Sequence, residues 1–107
     1  MGGQGEIVVK RIEALLDASA NGGPAPDLDR MEATLTDGYA EALALEAERW
    51  RIERRLGEVA HTAQEPAVAD EVATLGRRLT HAERELLRLR DVLVRLQART
   101  RALRKTG

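Results

Sequence analysis

The sequence predicts an all-α fold: an antiparallel two-helix coiled-coil hairpin with a short N-terminal helix, completing a three- or four-helix bundle. Ten apolar residues from Val68 to Leu103 follow one another at alternating steps of four and three, interrupted only at Thr100. A third of the 107 residues are charged, and Phe is absent. A short connection separates this pattern from a similar one before it. Together these features are typical of long helices that pack side by side.

Residues 1–26 are predicted to form a flexible N-terminal region that contains one short amphipathic helix, at about residues 6–18. Its apolar positions share one helical face and are Val8, Ile12, Leu15 and Leu16. The glycine-rich start, Met1 to Gly5, is expected to be disordered. Asn21 to Pro26 combines two glycines with two prolines, which predicts a linker that breaks the helix.

The second predicted helix covers residues 27–62 and opens the hairpin domain, residues 27–107. Asp27 is a favourable N-cap residue. The apolar seam again alternates threes and fours, through Leu28, Met31, Leu35, Gly38, Ala42, Leu45, Arg49, Ile52, Leu56, Val59 and Ala63. Gly38 is the weak point of this helix. A kink, a close approach of another backbone, or a break at Asp37–Gly38 are the alternatives there. Arg49 either pairs with a nearby glutamate or extends past Ile52 to water.

The third predicted helix covers residues 66–104 and begins at Pro66, a residue that suits the first turn of a helix. Its seam is the pattern of apolar residues that begins at Val68. The connection between the second and third helices spans only a few residues, from Thr62 to Pro66. Short connections between long helices produce antiparallel neighbours.

The distribution of charge supports this hairpin. Residues 1–76 carry 7 basic and 15 acidic side chains, whereas residues 77–107 carry 10 basic and 3 acidic ones. Folding about residues 64–65 places position i near position 130 − i, so the acidic start of the second helix lies beside the basic end of the third. Exposed ion pairs contribute only about 0.2–1 kcal/mol each, but opposite charges favour this orientation over others.

A second apolar stripe, which we call the second stripe, lies beside the main seam and consists of Tyr39, Leu43, Trp50, Leu87 and Val94. Val92 lies on the opposite flank of the seam. Apolar surface of this extent usually marks a contact site. Either the first helix folds back over it in a three-helix bundle, or two hairpins pair as a symmetric four-helix dimer, and both can hold at once. We favour the dimer, because the predicted 13-residue helix covers little of so long a hairpin.

Catalytic and metal-binding chemistry finds little support in the sequence. Cysteine is absent, and His61 and His81 are 20 residues apart without other ligands at metal-binding spacing. A Glu-x-x-His pattern ends at His61, but a bundle metal site needs a second copy of it. Ser19 is the only serine and has no histidine nearby in the sequence, and no glycine-rich phosphate loop is present. We therefore expect no enzyme activity, no metal and no cofactor.

The basic third helix raises nucleic-acid binding as an alternative. The possible polyanion contacts lie toward its C-terminal end and are Arg88, Arg95, Arg99, Arg101 and Arg104. No aromatic side chain lies among them for base stacking, and acidic residues of the second helix are expected nearby. A further alternative is a sensor that binds an anionic ligand between arginines of a dimer interface.

The general form resembles that of several bacterial helical-hairpin families, among them flagellar and secretion chaperones and coiled-coil anti-sigma factors. This likeness covers residues 27–104 and is one of form and composition, so it identifies no single family and transfers no functional residue. We expect a cytoplasmic, non-enzymatic protein that binds another protein, including a second copy of itself. Its contact residues would be those of the second stripe, and no membrane contact is expected, because the apolar residues are used in helix packing.

Overall fold

The computed structural model describes residues 3–20 and 27–106. Three α-helices occur in these ranges: α1 (Gln4–Ala20), α2 (Leu28–Val59) and α3 (Pro66–Thr106). A 3-10 turn, Ala60–Thr62, lies between α2 and α3. The two long helices form an antiparallel hairpin and α1 packs against both of them, which confirms the predicted all-α class. The predicted linker, residues 21–26, lies outside the described residues.

The start of α2 follows the sequence prediction. Asp27 is the N-cap residue, and its Oδ1 accepts a hydrogen bond from the backbone N–H of Asp29 at 3.2 Å. This bond satisfies one of the N–H groups that the first turn of a helix leaves without a partner.

The helix α2 continues without interruption through Asp37 and Gly38, so the predicted alternative of a break there is wrong. Gly38 is buried instead where all three helices meet. A Cβ at this position would lie 2.5 Å from Leu93 Cδ2 of α3 and 3.5 Å from Ile12 Cδ1 of α1. The absence of a side chain at Gly38 therefore permits close packing, as predicted, but the atoms that approach belong to side chains of α1 and α3 and not to another backbone.

The turn of the hairpin, residues 60–65, is longer than the predicted helix boundaries suggest. The helix α2 ends at Val59, and Thr62 Oγ1 donates a hydrogen bond to the Val59 carbonyl at 3.2 Å. The N–H of Glu65 then donates to the Thr62 carbonyl at 3.0 Å. Pro66 opens α3, as predicted, because it lacks the N–H that a first helical turn leaves unpaired.

Ion pairs between α2 and α3 confirm the predicted register of the hairpin. Arg104 lies 3.1 Å from Glu32, Arg90 lies 2.5 Å from Glu46, and Arg55 lies 3.0 Å from Glu71. Each pair joins a position i to a position within six residues of 130 − i. The acidic start of α2 therefore lies beside the basic end of α3.

The seam between α2 and α3 is buried along its length, since every predicted seam residue is buried or half-buried. Thr100, the one polar interruption on α3, is fully buried, and its Oγ1 donates to the Leu96 carbonyl at 2.8 Å. Thr34 does the same with the Arg30 carbonyl on α2. Both hydroxyls are thus satisfied within their own helices, which removes most of the cost of burying them. Arg49 is half-buried and pairs with Glu53 at 3.4 Å.

The helix α1 packs on one face of the hairpin and completes its core. Ile12 is fully buried, and its buried neighbours on α1 are Val8, Val9 and Leu15. These side chains join a cluster that includes Met31 of α2 and Val92 of α3. The helix begins at Gln4, so the disordered start predicted for residues 1–5 does not extend to Gln4 and Gly5. Gly5 is buried because it packs against Leu45 and Glu85.

The molecule is a rod of 61 × 21 × 15 Å. The helix α1 covers only the half of one face that is remote from the hairpin turn. It runs from Gly5, beside Leu45, to Leu16 and Asp17, which lie beside Ala98 and Ala102 near the end of α3. The other half of that face, toward the turn, is covered by charged pairs such as Arg55–Glu71 and Arg78–Glu48.

Candidate functional site

The second stripe remains exposed in the folded chain. The exposed fractions are 43% for Tyr39, 67% for Leu43, 62% for Trp50, 68% for Leu87 and 65% for Val94. The helix α1 does not cover these residues, so that predicted alternative is wrong, although the three-helix bundle itself forms.

The reason lies in the side of the hairpin that α1 occupies. Arg11 of α1 lies 3.2 Å from Asp37 of α2, and Glu13 lies 3.7 Å from Arg88 of α3. Val92 is buried in the cluster that α1 completes. Asp37 and Val92 each lie two positions before a residue of the second stripe, Tyr39 or Val94. Two positions are a little more than half a helical turn, so Asp37 and Val92 lie on the flank of the seam opposite the second stripe. One face of the hairpin is therefore covered by the chain itself, and the other is not.

An apolar groove of about 460 Å³ lies between α2 and α3 on the uncovered face. Its walls are Tyr39, Ala42, Leu43 and Glu46 of α2 and Arg90, Leu93, Val94 and Gln97 of α3. The groove thus brings together three of the five predicted contact residues. Trp50 and Leu87 are not part of its walls. They lie two helical turns from Leu43 and Val94, both toward the hairpin turn, and extend the apolar surface in that direction.

Charged side chains beside the second stripe are paired within the chain. Arg90 pairs with Glu46 at the wall of the groove. The guanidinium of Arg54 lies 5.4 Å from the centre of the Trp50 ring and 3.6 Å from Glu58. A further pair joins Arg49 to Glu53. The uncovered face is therefore apolar at its centre, with little uncompensated charge around it.

The groove continues as a polar depression toward the open end of the hairpin. It is lined by Glu32, Leu35, Thr36 and Tyr39 of α2 and by Gln97, Thr100, Arg101 and Arg104 of α3. Arg104 pairs with Glu32 there. Arg101 is exposed and takes part in none of the ion pairs found between residues of the described ranges.

The structure separates the predicted polyanion contacts into two groups on different sides of α3. Arg95 and Arg99 lie with Leu16 and Asp17 of α1, whereas Arg101 and Arg104 lie on the side of the second stripe. Three of the five arginines are in ion pairs: Arg88 with Glu13, Arg95 with Asp91, and Arg104 with Glu32. Arg99 also has an interaction partner.

A pair of glutamates beneath the start of α1 is a feature that the sequence analysis missed. Burial raises the pKa of Glu41, and the negative charge of Glu85 raises it further. Glu85 Oε2 lies 3.3 Å from His81 Nε2, while its Oε1 is buried without a hydrogen-bond partner. The hairpin register places positions 41 and 85 at nearly the same height along the hairpin, so the register could have identified this pair from the sequence. The glycine-rich start of α1 was assigned to disorder, so its burial against Glu85 was not foreseen.

Elsewhere the electrostatics are those of ordinary surface pairs. Hydrogen bonds from Arg78 at 2.6 Å and from Arg51 at 2.9 Å lower the pKa of Glu48. Arg55 lowers the pKa of Glu71 by two hydrogen bonds of 3.0 Å. These groups lie toward the hairpin turn and help to hold α2 against α3.

Within residues 3–20 and 27–106, no group of three or more His, Asp or Glu side chains is arranged to hold a metal ion. No helical stretch in this part of the chain is both long and apolar enough to cross a membrane. Comparison of the chain with protein-family models, with curated proteins and with solved structures gives no match. The uncovered apolar face is therefore the feature on which a functional argument can be built.

Proposed function

We propose that this chain is a non-enzymatic protein–protein interaction module, a helical-hairpin adaptor, chaperone or regulator that acts by packing helices against its second stripe. The observation that carries the proposal is the exposure of five large apolar side chains on one face of the hairpin. Single exposed apolar residues are common on proteins, but a continuous group of this kind usually marks a contact surface.

The magnitude of the hydrophobic effect indicates what kind of partner would bind. At about 25 cal/mol per Å², every 100 Å² of apolar surface that a partner covers contributes about 2.5 kcal/mol. Association costs about 4–15 kcal/mol in lost translational and rotational freedom. A partner must therefore cover several hundred Å². A helix laid into the groove satisfies that requirement, whereas a small molecule covers too little of the stripe.

The residue types of the second stripe also suit a protein contact. Tyr39 and Trp50 combine a large apolar surface with a polar group, and such residues dominate the energy of many interfaces. Arg54 is held over the Trp50 ring, which fixes one side of that ring before a partner arrives. Val94 and Leu43 lie on opposite walls of the groove and expose apolar surface against which a helix can pack.

The alternatives have less support. Nucleic acid would need a continuous basic surface, and the five candidate arginines are split between two sides of α3, with three of them paired to carboxylates. An anionic ligand between arginines of a dimer would face the same competition from those carboxylates. A cytoplasmic location is part of our proposal, because a chain without cysteine is compatible with a reducing compartment.

Site-specific photo-crosslinking tests the proposal. A benzophenone amino acid would replace Leu43 or Leu87 in the full chain, both in cells and in the purified protein. The matched control replaces Lys10, which is exposed on α1 and lies away from the second stripe. We expect crosslinked protein products from positions 43 and 87 and few or none from position 10.

The masses of the products identify the kind of partner. Products of twice the chain mass indicate self-association, and other masses indicate a different protein. An absence of products from both positions of the second stripe, or equal yields at position 10, would show that this face is not a protein contact.

A further inference from the structure

We propose that the partner of the second stripe is a second copy of this chain, packed face to face about a two-fold axis that runs along the length of the hairpin. In this arrangement α2 of each copy lies on α3 of the other. The inference rests on the proposed function, because it assumes that the second stripe is a protein contact, and it adds the identity and orientation of the partner.

The apolar residues match in this arrangement. A two-fold axis along the hairpin keeps each residue at its own height on the rod, so each α2 residue faces the α3 residue of the same height. The groove already shows Tyr39 and Leu43 at the height of Val94. Val94 of the second copy therefore meets Tyr39 and Leu43. Leu87 of the second copy meets the surface between Leu43 and Trp50, since it lies two turns nearer the hairpin turn.

The charges around the stripe permit two identical faces to meet. Identical surfaces with a large net charge repel each other, but here most charges beside the stripe are compensated within each copy. The pairs are Glu46–Arg90, Arg49–Glu53 and Arg54–Glu58. The two charges without such a partner among the described residues, Glu83 and Arg101, have opposite signs. The uncovered face thus meets its own copy without a like-charge penalty, and its apolar centre is free to pack.

The open end of the hairpin favours this orientation over the reverse one. Arg101 has no ion pair among the described residues and lies at the height of Glu32. With the axis along the hairpin, Arg101 of one copy faces Glu32 of the other, so opposite charges meet at both symmetric positions. With the axis across the hairpin and centred on the stripe, Glu32 would face Gly57, which carries no charge.

The dimensions of the rod are sufficient for such a dimer. A stable interface buries about 800 Å² on each partner, and the uncovered face belongs to a molecule of 61 × 21 Å. In this arrangement α2 of one copy runs antiparallel to α3 of the other. This orientation is as favourable for the helix dipoles as the one within each hairpin. Two copies joined this way form a four-helix layer at the centre, with one α1 on each outer side.

Analytical ultracentrifugation of the full chain tests the identity of the partner. Between about 1 and 500 µM, we expect the mass to rise from 11.8 kDa toward twice that value. Leu87→Glu should weaken association at least 100-fold, because it places a charge in the apolar contact. Ile7→Glu is the matched control: Ile7 is also an exposed apolar residue, but it lies on α1, and its variant should associate like the natural chain. Circular dichroism verifies that both variants remain helical.

A monomer at every concentration overturns the inference, as does equal weakening by the two variants. If position 87 then still crosslinks to another protein, the proposed function stands and only the self-association is wrong. If neither position 43 nor position 87 crosslinks to any protein, both are wrong.

Distances between spin labels test the orientation. The chain contains no cysteine, so Gln64→Cys at the exposed hairpin turn gives one label in each copy. With the axis along the hairpin the two turns lie side by side, and we expect a label separation below about 30 Å. The reverse orientation would separate them by about 60 Å, since each turn lies some 20 residues at about 1.5 Å per residue from the centre of the stripe. A separation of that size overturns the proposed orientation.

Discussion

The two faces of the hairpin differ in how the chain treats their apolar residues. On one face, α1 covers the seam and buries Ile12 completely among residues of all three helices. On the other, Leu43 and Leu87 are more than half exposed. Both faces have apolar residues at helical spacing, so the difference lies in what covers them. The chain supplies a cover for only one face, and the other must find its cover in another molecule or remain in water.

The two faces contribute to different properties of the protein: the face under α1 to the stability of a single copy, and the second stripe to binding. Residues under α1 contribute to the folding of one copy, because their burial is complete within the chain. Residues of the second stripe contribute little to that folding, because they keep most of their contact with water. Substitutions on the two faces should therefore change different measured quantities.

The largest effect is expected under α1. Ile12→Ala removes a fully buried side chain, and such changes cost about 2–5 kcal/mol through lost burial and the cavity that remains. The matched control is Ile7→Ala on the same helix, where the side chain is 53% exposed and the change should stay within about 0.5 kcal/mol. Urea denaturation followed by circular dichroism measures both free energies of unfolding. Equal losses for the two variants would mean that α1 does not pack on the hairpin as described.

Substituting alanine for either of two glycines of α2 should have a smaller effect on the free energy of unfolding, and the sign of the change should differ between the two positions. Gly38→Ala gains up to about 1 kcal/mol in helix propensity, but its Cβ would lie 2.5 Å from Leu93 Cδ2. Overpacking of a core costs about 1–3 kcal/mol, so we expect a net loss of about 1 kcal/mol. Gly57→Ala has nothing within 4 Å of the new Cβ and should gain about 0.5–1 kcal/mol.

The same denaturation experiment compares the two glycine variants directly. Stabilisation by Gly38→Ala as large as that by Gly57→Ala would show that the three helices do not meet closely at position 38.

The smallest effect is expected from the glutamates and depends on pH. The pKa of Glu41 is raised in the folded chain, so its ionised form disfavours folding at neutral pH. Glu41→Gln should therefore stabilise the protein by a few tenths of a kcal/mol, about the size of a surface charge effect. This gain should disappear as the pH falls below 4.5, where Glu41 becomes protonated in both the folded and unfolded chain.

Glu48→Gln is the control, and its effect on stability should have the opposite sign. The pKa of Glu48 is lowered by hydrogen bonds from Arg78 and Arg51, so its ionised form favours folding and the substitution should destabilise at pH 7. That loss should vanish at a lower pH than the gain at Glu41, because the lowered pKa of Glu48 keeps its carboxylate ionised below pH 4.5 in the folded chain. Thermal unfolding at pH 7, 4 and 2 measures both trends, and a shared sign at pH 7 would contradict the contrast between the two glutamates.

The hairpin could be predicted from the sequence because helix geometry enforces its pattern. Residues such as Leu89 and Leu96 recur at steps of three and four only if one side of a straight helix faces a partner, and both are fully buried. The opposite charges predicted that the acidic start of α2 lies beside the basic end of α3, where Glu32 pairs with Arg104. The exposure of Leu43 and Trp50 on the second stripe also followed from their place beside the seam.

The position of α1 could not be predicted, because nothing in the periodicity fixes how a helix returns through a linker. Both faces of the hairpin offered apolar residues, and the choice depends on details of fit. Gly5 allows the start of α1 to approach Glu85, and Val9 adds a buried side chain that the predicted apolar face of α1 did not include. The ion pairs Arg11–Asp37 and Glu13–Arg88 then hold α1 on that side. Charges in three different helices cannot be matched before their relative positions are known.

The fluorescence of Trp50 tests most directly whether the uncovered face meets a second copy. Trp50 is the only tryptophan in the chain, and it is 62% exposed in a single copy. Emission spectra of the natural chain would be recorded from about 0.1 to 500 µM, with Leu87→Glu as the reference whose association is weakened. We expect the emission maximum of the natural chain to move to shorter wavelength as its concentration rises, while that of Leu87→Glu stays constant. An emission maximum typical of tryptophan in water, unchanged over the whole range, would contradict the dimer.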